Sequence, residues 1–148
     1  MKTTLIITSF VFFVQSIFGQ ILTPVKWSYA AKKTGKNTAV IFIKATIDKG
    51  WHIYSTRQED GGPLKTTISF TQTPNYCIIG DLIEPKPLKK YEKSFEINVI
   101  FFEKSVIFQQ KIKIFKQRFI LKGKSNFMVC NDEKCLPPND VEFSIPIK

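Results

Sequence analysis

Cys130 and Cys135 stand with four residues between them in the segment FMVCNDEKCLPPND, at the end of an apolar strand pattern and just before Pro137 and Pro138. Two cysteines this close pair readily in an oxidising compartment, provided the chain folds back to bring their Cα atoms within roughly 4.4–6.8 Å. One reading of such a bridge is a structural staple. A loop of about six residues, however, contributes only about 2 kcal/mol by chain entropy, against about 4 kcal/mol for the loop of about 54 that a Cys77 to Cys130 bridge would close. A second reading is thiol–disulfide exchange, for which a short loop keeps the resolving sulfur beside the attacking one. Polar Asn131, Asp132, Glu133 and Lys134 would expose the turn to a partner thiolate, and the proline pair stiffens the chain beyond it. A third reading is zinc, with Cys77 and His52 completing a Cys3His set, although no second paired-ligand motif accompanies C-x4-C. The residues alone leave all three open. Cys77, between Tyr76 and Ile78, reads as a small buried hydrophobe, with an intermolecular or regulatory thiol as the alternative.

The elements that must position these sulfurs are strands. Ala39, Ile41, Ile43, Ala45 and Ile47 alternate with polar positions, as do Phe95, Ile97, Val99 and Phe101, then Ile112 and Ile114, then Phe143, Ile145 and Ile147. Further strand patterns cover 25–31, 51–54, 64–71, 76–83, 119–122 and 126–130, for about nine or ten in all. Turn residues punctuate them at KKTGKN, DKG, EDGGP, EPKPLKK and LPPND, and no 3.6-residue apolar stripe runs for three turns. The expected fold is an all-β, immunoglobulin-like antiparallel sandwich of about nine strands, with a small barrel as competitor.

Residues 1–19 read as a secretory signal peptide: Lys2, an apolar run from Leu5 to Val14, then small Gly19, with one domain expected over 20–148. The apolar run is about ten residues, short of the roughly 20 that span a membrane, so the exported domain is expected not to span it. A net charge of +10 could suit nucleic acid, but only Arg57 and Arg118 among 22 basic residues carry the bidentate guanidinium that phosphate and base recognition favours. The lysines are scattered along strands as solvated faces, so no nucleic-acid partner is expected. A single histidine leaves few side chains titrating near neutral pH, which excludes most acid–base enzyme mechanisms.

Four segments carry a family resemblance: WHIYS at 51–55, GGP at 61–63, EPKPLKKY at 84–91 and MVCNDEKCLPP at 128–138. Over about residues 24–148 the chain resembles the N-terminal periplasmic domain of the thiol:disulfide interchange protein DsbD. The resemblance implies a protein-disulfide reductase component that needs no cofactor and relays electrons from a DsbD-type membrane donor to thioredoxin-like exported proteins, with cytochrome c maturation as one setting. It implies that Cys135 forms the mixed disulfides and that Cys130 is its resolving partner. It also implies a cap loop over the pair, matched by position to Glu84–Tyr91. Leu88 and Tyr91 of that loop, His52 and Tyr54 of the aromatic strand, and Pro137 are then the expected surroundings of the site. Two departures stand out. The cysteines are separated by four residues where the best-known members have five, and the sequence stops where the family's membrane and thioredoxin-like segments would begin. The expectation is a free-standing domain whose donor acts in trans. The rival is a non-catalytic binding module with a structural disulfide, including a carbohydrate-binding form that would use Trp27 and Trp51.

Overall fold

The computed structural model describes residues 22–93 and 95–148, so the expected signal peptide lies outside the described residues. Among the described residues eleven strands follow in order: β1 (Val25–Gly35), β2 (Thr38–Ile47), β3 (His52–Tyr54), β4 (Thr67–Phe70), β5 (Tyr76–Ile83), β6 (Leu88–Glu92), β7 (Ile97–Glu103), β8 (Ser105–Ile114), β9 (Phe119–Phe127), β10 (Val129–Cys130) and β11 (Asn139–Ile147). They form three antiparallel sheets in the orders β1-β2-β8-β5, β10-β3-β7-β6 and β11-β9-β4. The fold class is the expected immunoglobulin-like β architecture. The additional strand is β6, which the proline-rich EPKPLKK run disguises as a turn: both prolines precede the strand, and its five residues pair fully with β7. Among the described residues no helix is long and apolar enough to cross a membrane.

Period-two alternation explains the main core. Ala39, Ile41, Ile43, Ala45 and Ile47 of β2 are all buried, and with Val106, Phe108, Ile112 and Ile114 of β8 they line one face of the first sheet. Against them pack Ile53, Phe102 and Val129 of the second sheet and Leu121, Phe127, Phe143, Ile145 and Ile147 around the third. One polar residue interrupts the β8 series. Gln110 is buried, and its amide nitrogen donates to the carbonyls of Ile79 and Gly80 where β5 bulges, with Gly80 at φ 66°. Trp27 packs over Phe108 and Phe127, and Trp51 also lies against the core, so both tryptophans are committed to packing.

Cys77 differs from its expected place. It is an exposed free thiol, because in β5 the inward position belongs to Tyr76 and the alternation turns Cys77 outward beside Lys113.

In the second sheet β3, β7 and β10 carry buried residues on both faces, while the edge strand β6 is largely exposed. Ile53, Phe102 and Val129 point into the main core, while Tyr54, Val99, Phe101 and Cys130 form a separate buried cluster on the opposite face, joined by Ile97 and Met128. That opposite face carries the cysteines.

Candidate functional site

The spacing of the cysteines is the spacing of a tight hairpin. The Asn131 amide donates to the Lys134 carbonyl and the Leu136 amide to the Val129 carbonyl, each at 2.9 Å. These two bonds bracket Cys130 and Cys135, which therefore face each other as a non-hydrogen-bonded antiparallel pair, the arrangement that brings opposed residues closest. Their Cα atoms are 4.0 Å apart and the sulfurs are joined in a disulfide. The separation is tighter than the range expected for disulfides at large because ladder geometry sets it. Asp132 and Glu133 are left as the tip of the turn. Asn131 holds that tip through its side chain, whose Oδ1 accepts from the amides of Glu133 and Lys134 at 3.0 and 2.7 Å.

The two sulfurs are not equivalent. Cys130 is 1% exposed within the Tyr54–Val99–Phe101 cluster, whereas Cys135 is exposed at the outgoing end of the hairpin. An open cleft of about 700 Å³ lies over the pair, walled by His52 and Tyr54, by Lys90, Glu92 and Phe95, and by the hairpin residues 130–135.

His52 and Tyr54 arrive through strand register. Cys130 pairs with His52 across β10 and β3, and Glu103 of β7 is the register partner of His52 on the other side. The His52 Nε2 lies 3.2 Å from the Tyr54 hydroxyl, and its ring sits 5.1 Å from that of Phe101. Burial lowers the imidazole below its ordinary value against the opposing pull of Glu103, Asp132 and Glu92, with Lys90 adding to the lowering. Burial, with Glu92, pushes the Tyr54 phenol up to about 12.

The remaining expected surroundings are placed differently. Leu88 pairs with Phe101 on the site's side of the sheet but is half exposed and outside the cleft. Tyr91 pairs with Asn98, and strand alternation sends it to the opposite face from Lys90 and Glu92. Pro137 lines a neighbouring apolar groove of about 520 Å³ with Leu22, Pro24, Phe127 and Leu136. The cleft beside the disulfide is thus lined by Lys90 and Glu92 at the end of β6 and by Phe95 beyond it, so it overlaps the expected Glu84–Tyr91 stretch at Lys90 and continues past its end.

Glu84 has a different task, which sequence spacing alone did not reveal. Its side chain is 2% exposed and accepts hydrogen bonds from the Ser55 hydroxyl, the Thr56 amide (3.0 Å), the Thr56 hydroxyl (2.9 Å) and Arg57 Nε (2.8 Å). Burial raises this carboxyl, but the four donors outweigh it and hold the group below the ordinary carboxylate range. One carboxylate thereby ties the WHIYS and EPKP segments together and fixes the chain leaving β3. Thr66 adds a second tie, its hydroxyl donating to the Tyr54 carbonyl at 2.6 Å.

Among the described residues no three His, Cys, Asp or Glu side chains converge on a metal position, and Cys77 belongs to the other four-stranded sheet. The arrangement offers one exposed sulfur, one buried sulfur and a cleft for an approaching thiol.

The family model for the N-terminal region of the thiol:disulfide interchange protein DsbD matches residues 20–146. The reduced DsbD N-terminal domain of Neisseria meningitidis superposes with a TM-score of 0.59 at 16% identity, over 84% of this chain and 89% of that one. The structure of the complex between the DsbD and PilB N-terminal domains of the same organism matches with a TM-score of 0.55 at 15% identity, over 84% and 87% of the two chains. The N-terminal periplasmic domain of ScsB from Proteus mirabilis matches with a TM-score of 0.53 at 21% identity, over 83% of this chain and 44% of that one. No curated protein matches the chain.

Proposed function

This chain belongs to the family of DsbD thiol:disulfide interchange N-terminal domains, and from that premise we propose that it relays reducing equivalents between protein partners through Cys130 and Cys135. The observation that carries the proposal is the asymmetry of the pair, with Cys135 exposed in the cleft and Cys130 buried behind it. Attack is directed to the sulfur that can be reached.

In the reducing half-reaction a partner thiolate attacks Cys135 Sγ, the Cys130–Cys135 bond breaks, and Cys130 leaves with the electron pair and takes up a proton. The partner's second thiol then displaces Cys135 from the mixed disulfide, so the partner is oxidised by two electrons and the domain reduced by two. In the return, the Cys135 thiolate attacks an acceptor disulfide, and Cys130 attacks Cys135 Sγ, restoring the original bond and releasing the acceptor as a dithiol. No cofactor takes part. The DsbD–PilB complex is a precedent for a protein partner at this fold. Export directed by residues 1–19, thioredoxin-like acceptors and a DsbD-type membrane donor acting in trans complete the proposal.

The test is substitution of the resolving sulfur. Cys130→Ser should accumulate a covalent complex with an exported thioredoxin-like protein, bonded through Cys135 and released by dithiothreitol, while Cys135→Ser accumulates none. Absence of any such complex from Cys130→Ser in the native exported fraction refutes the relay.

A further inference from the structure

The resolving step poses a problem that the site must solve. The thiolate is the nucleophile in exchange, and an apolar shell disfavours it. Cys130 sits in such a shell, 1% exposed among Tyr54, Val99 and Phe101 at the inner wall of the cleft. A base already inside the cleft is the acceptor best placed to take its proton.

The titratable and charged groups facing that space are His52 and Tyr54 from β3, Lys90 and Glu92 from β6, Glu103 from β7, and Asp132, Glu133 and Lys134 from the hairpin. Carboxylates, with ordinary values near about 4, are weak bases toward a thiol near about 8.5, and a protonated lysine accepts nothing. Imidazole is the strongest neutral base in the set. It is also the group that the fold delivers to the sulfur, because His52 is the register partner of Cys130 and directly opposed residues hold their Cβ atoms about 4.5–5.5 Å apart on one sheet face. In the tautomer whose Nε2–H donates to the Tyr54 hydroxyl oxygen, the bond steadies the ring and leaves Nδ1 as the proton acceptor.

We propose that His52 accepts the proton of the Cys130 thiol as Cys130 attacks the mixed disulfide at Cys135. The inference rests on the relay reading above. In this step the Cys130 S–H bond breaks and its proton moves to the imidazole. The Cys130–Cys135 bond forms, the bond from Cys135 to the acceptor sulfur breaks, and the electron pair leaves with the acceptor as a thiolate. The imidazolium then returns its proton to water at the open side of the cleft. Burial keeps the ring neutral at pH 7, the form that can accept.

The experiment isolates this step with a small disulfide in place of a protein acceptor. The reduced protein carries Cys77→Ser, since the exposed Cys77 would itself consume reagent, and is mixed with excess 5,5′-dithiobis(2-nitrobenzoate). Thionitrobenzoate should appear in two phases, a reagent-dependent one from Cys135 and a reagent-independent one when Cys130 closes the disulfide. With His52 intact, the second phase should be level near pH 7 and fall as the pH drops below the ordinary histidine value of about 6.5. His52→Gln should slow that phase at pH 7 by on the order of 10²-fold, far more than it alters the first, and replace the plateau with a continuous rise with pH. Tyr54→Phe, which keeps the base, should retain an inflection at a displaced pH. A second phase in His52→Gln with the wild-type rate and profile overturns the proposal. So does a histidine-containing protein with no inflection below about pH 6.5, which decides the matter even where the glutamine variant fails to fold. Failure of the first phase at Cys135 is a different result and overturns the relay reading itself.

Discussion

Reduction of the Cys130–Cys135 disulfide should lower the stability of the domain by only about 2 kcal/mol and leave it folded. The magnitude follows from the loop, whose ends are five positions apart, because the chain-entropy relation for about six residues gives about 2.2 kcal/mol at 25 °C. Other contributions to the loss are small. Cys130 remains a well-packed small hydrophobe as a thiol, and the hairpin keeps the 131–134 and 136–129 backbone bonds and the two bonds to Asn131 Oδ1. Urea unfolding of oxidised and reduced protein, both carrying Cys77→Ser, should therefore give equal slopes and midpoints that differ by this amount. Oxidation and unfolding form a closed cycle, so the same free energy must reappear as a potential. The native pair should be about 45 mV more reducing than the same pair in the urea-unfolded chain, as measured by alkylation in thiol buffers. A difference above about 4 kcal/mol, or unfolding on reduction, would mark a staple on which the domain depends, and the exchange argument from loop length would fail. A difference near zero with unchanged slopes would refute the entropy calculation.

Two further substitutions test the frame around the site. Glu84→Gln should cost on the order of 2–3 kcal/mol, seen as a fall in Tm of about 10 °C, because it leaves buried donors from Ser55 and Thr56 without a carboxylate. Arg57→Ala, at the 62% exposed end of the same ion pair, should cost under about 1 kcal/mol, and a larger loss there than from Glu84→Gln would show that the buried network has been misassigned. Glu84 is held below its ordinary value in the folded state, so its contribution is complete above that value and is lost as pH falls through the depressed one. The acid limb of the wild-type Tm–pH profile should flatten in Glu84→Gln. Gly123→Ala should be destabilising by about 1–3 kcal/mol in thermal unfolding, since a Cβ there runs into the Phe143 ring and the Ser69 carbonyl oxygen, the latter being backbone that cannot turn aside. A neutral result would mean that β4 and β11 yield more easily than their pairing with β9 implies.

Alternation made most of the fold legible in the sequence. The inward series of β2 and the isoleucines of β8 are buried as their period-two pattern requires. Where alternation is short or interrupted, the sequence misled. β6 has five residues preceded by prolines, and Phe95 continues the apolar series of β7 yet lies in the turn before it, 42% exposed against the cleft. Cys77 sits among isoleucines whose company suggested burial, but the facing is set by Tyr76 one residue earlier. At the site, the cysteines and the aromatic strand could be read as neighbours, while the pairing of Cys130 with His52 depends on the β10–β3 register, which no local pattern encodes. The same holds for Glu84, whose partners lie 27 to 29 positions away.

The burial of β3, β7 and β10 in two separate clusters, one on each face of the second sheet, has an evolutionary consequence. Its inward residues Ile53, Phe102 and Val129 answer to the main core, while Tyr54, Val99, Phe101 and Cys130 answer to a cluster of their own. Substitutions in the two sets share strands but few packing partners, so their effects on stability should combine nearly independently. Lineages could then alter the surroundings of the disulfide without drawing on the stability of the sandwich. That separation suits a scaffold whose relatives retain the fold at 15 to 21% identity.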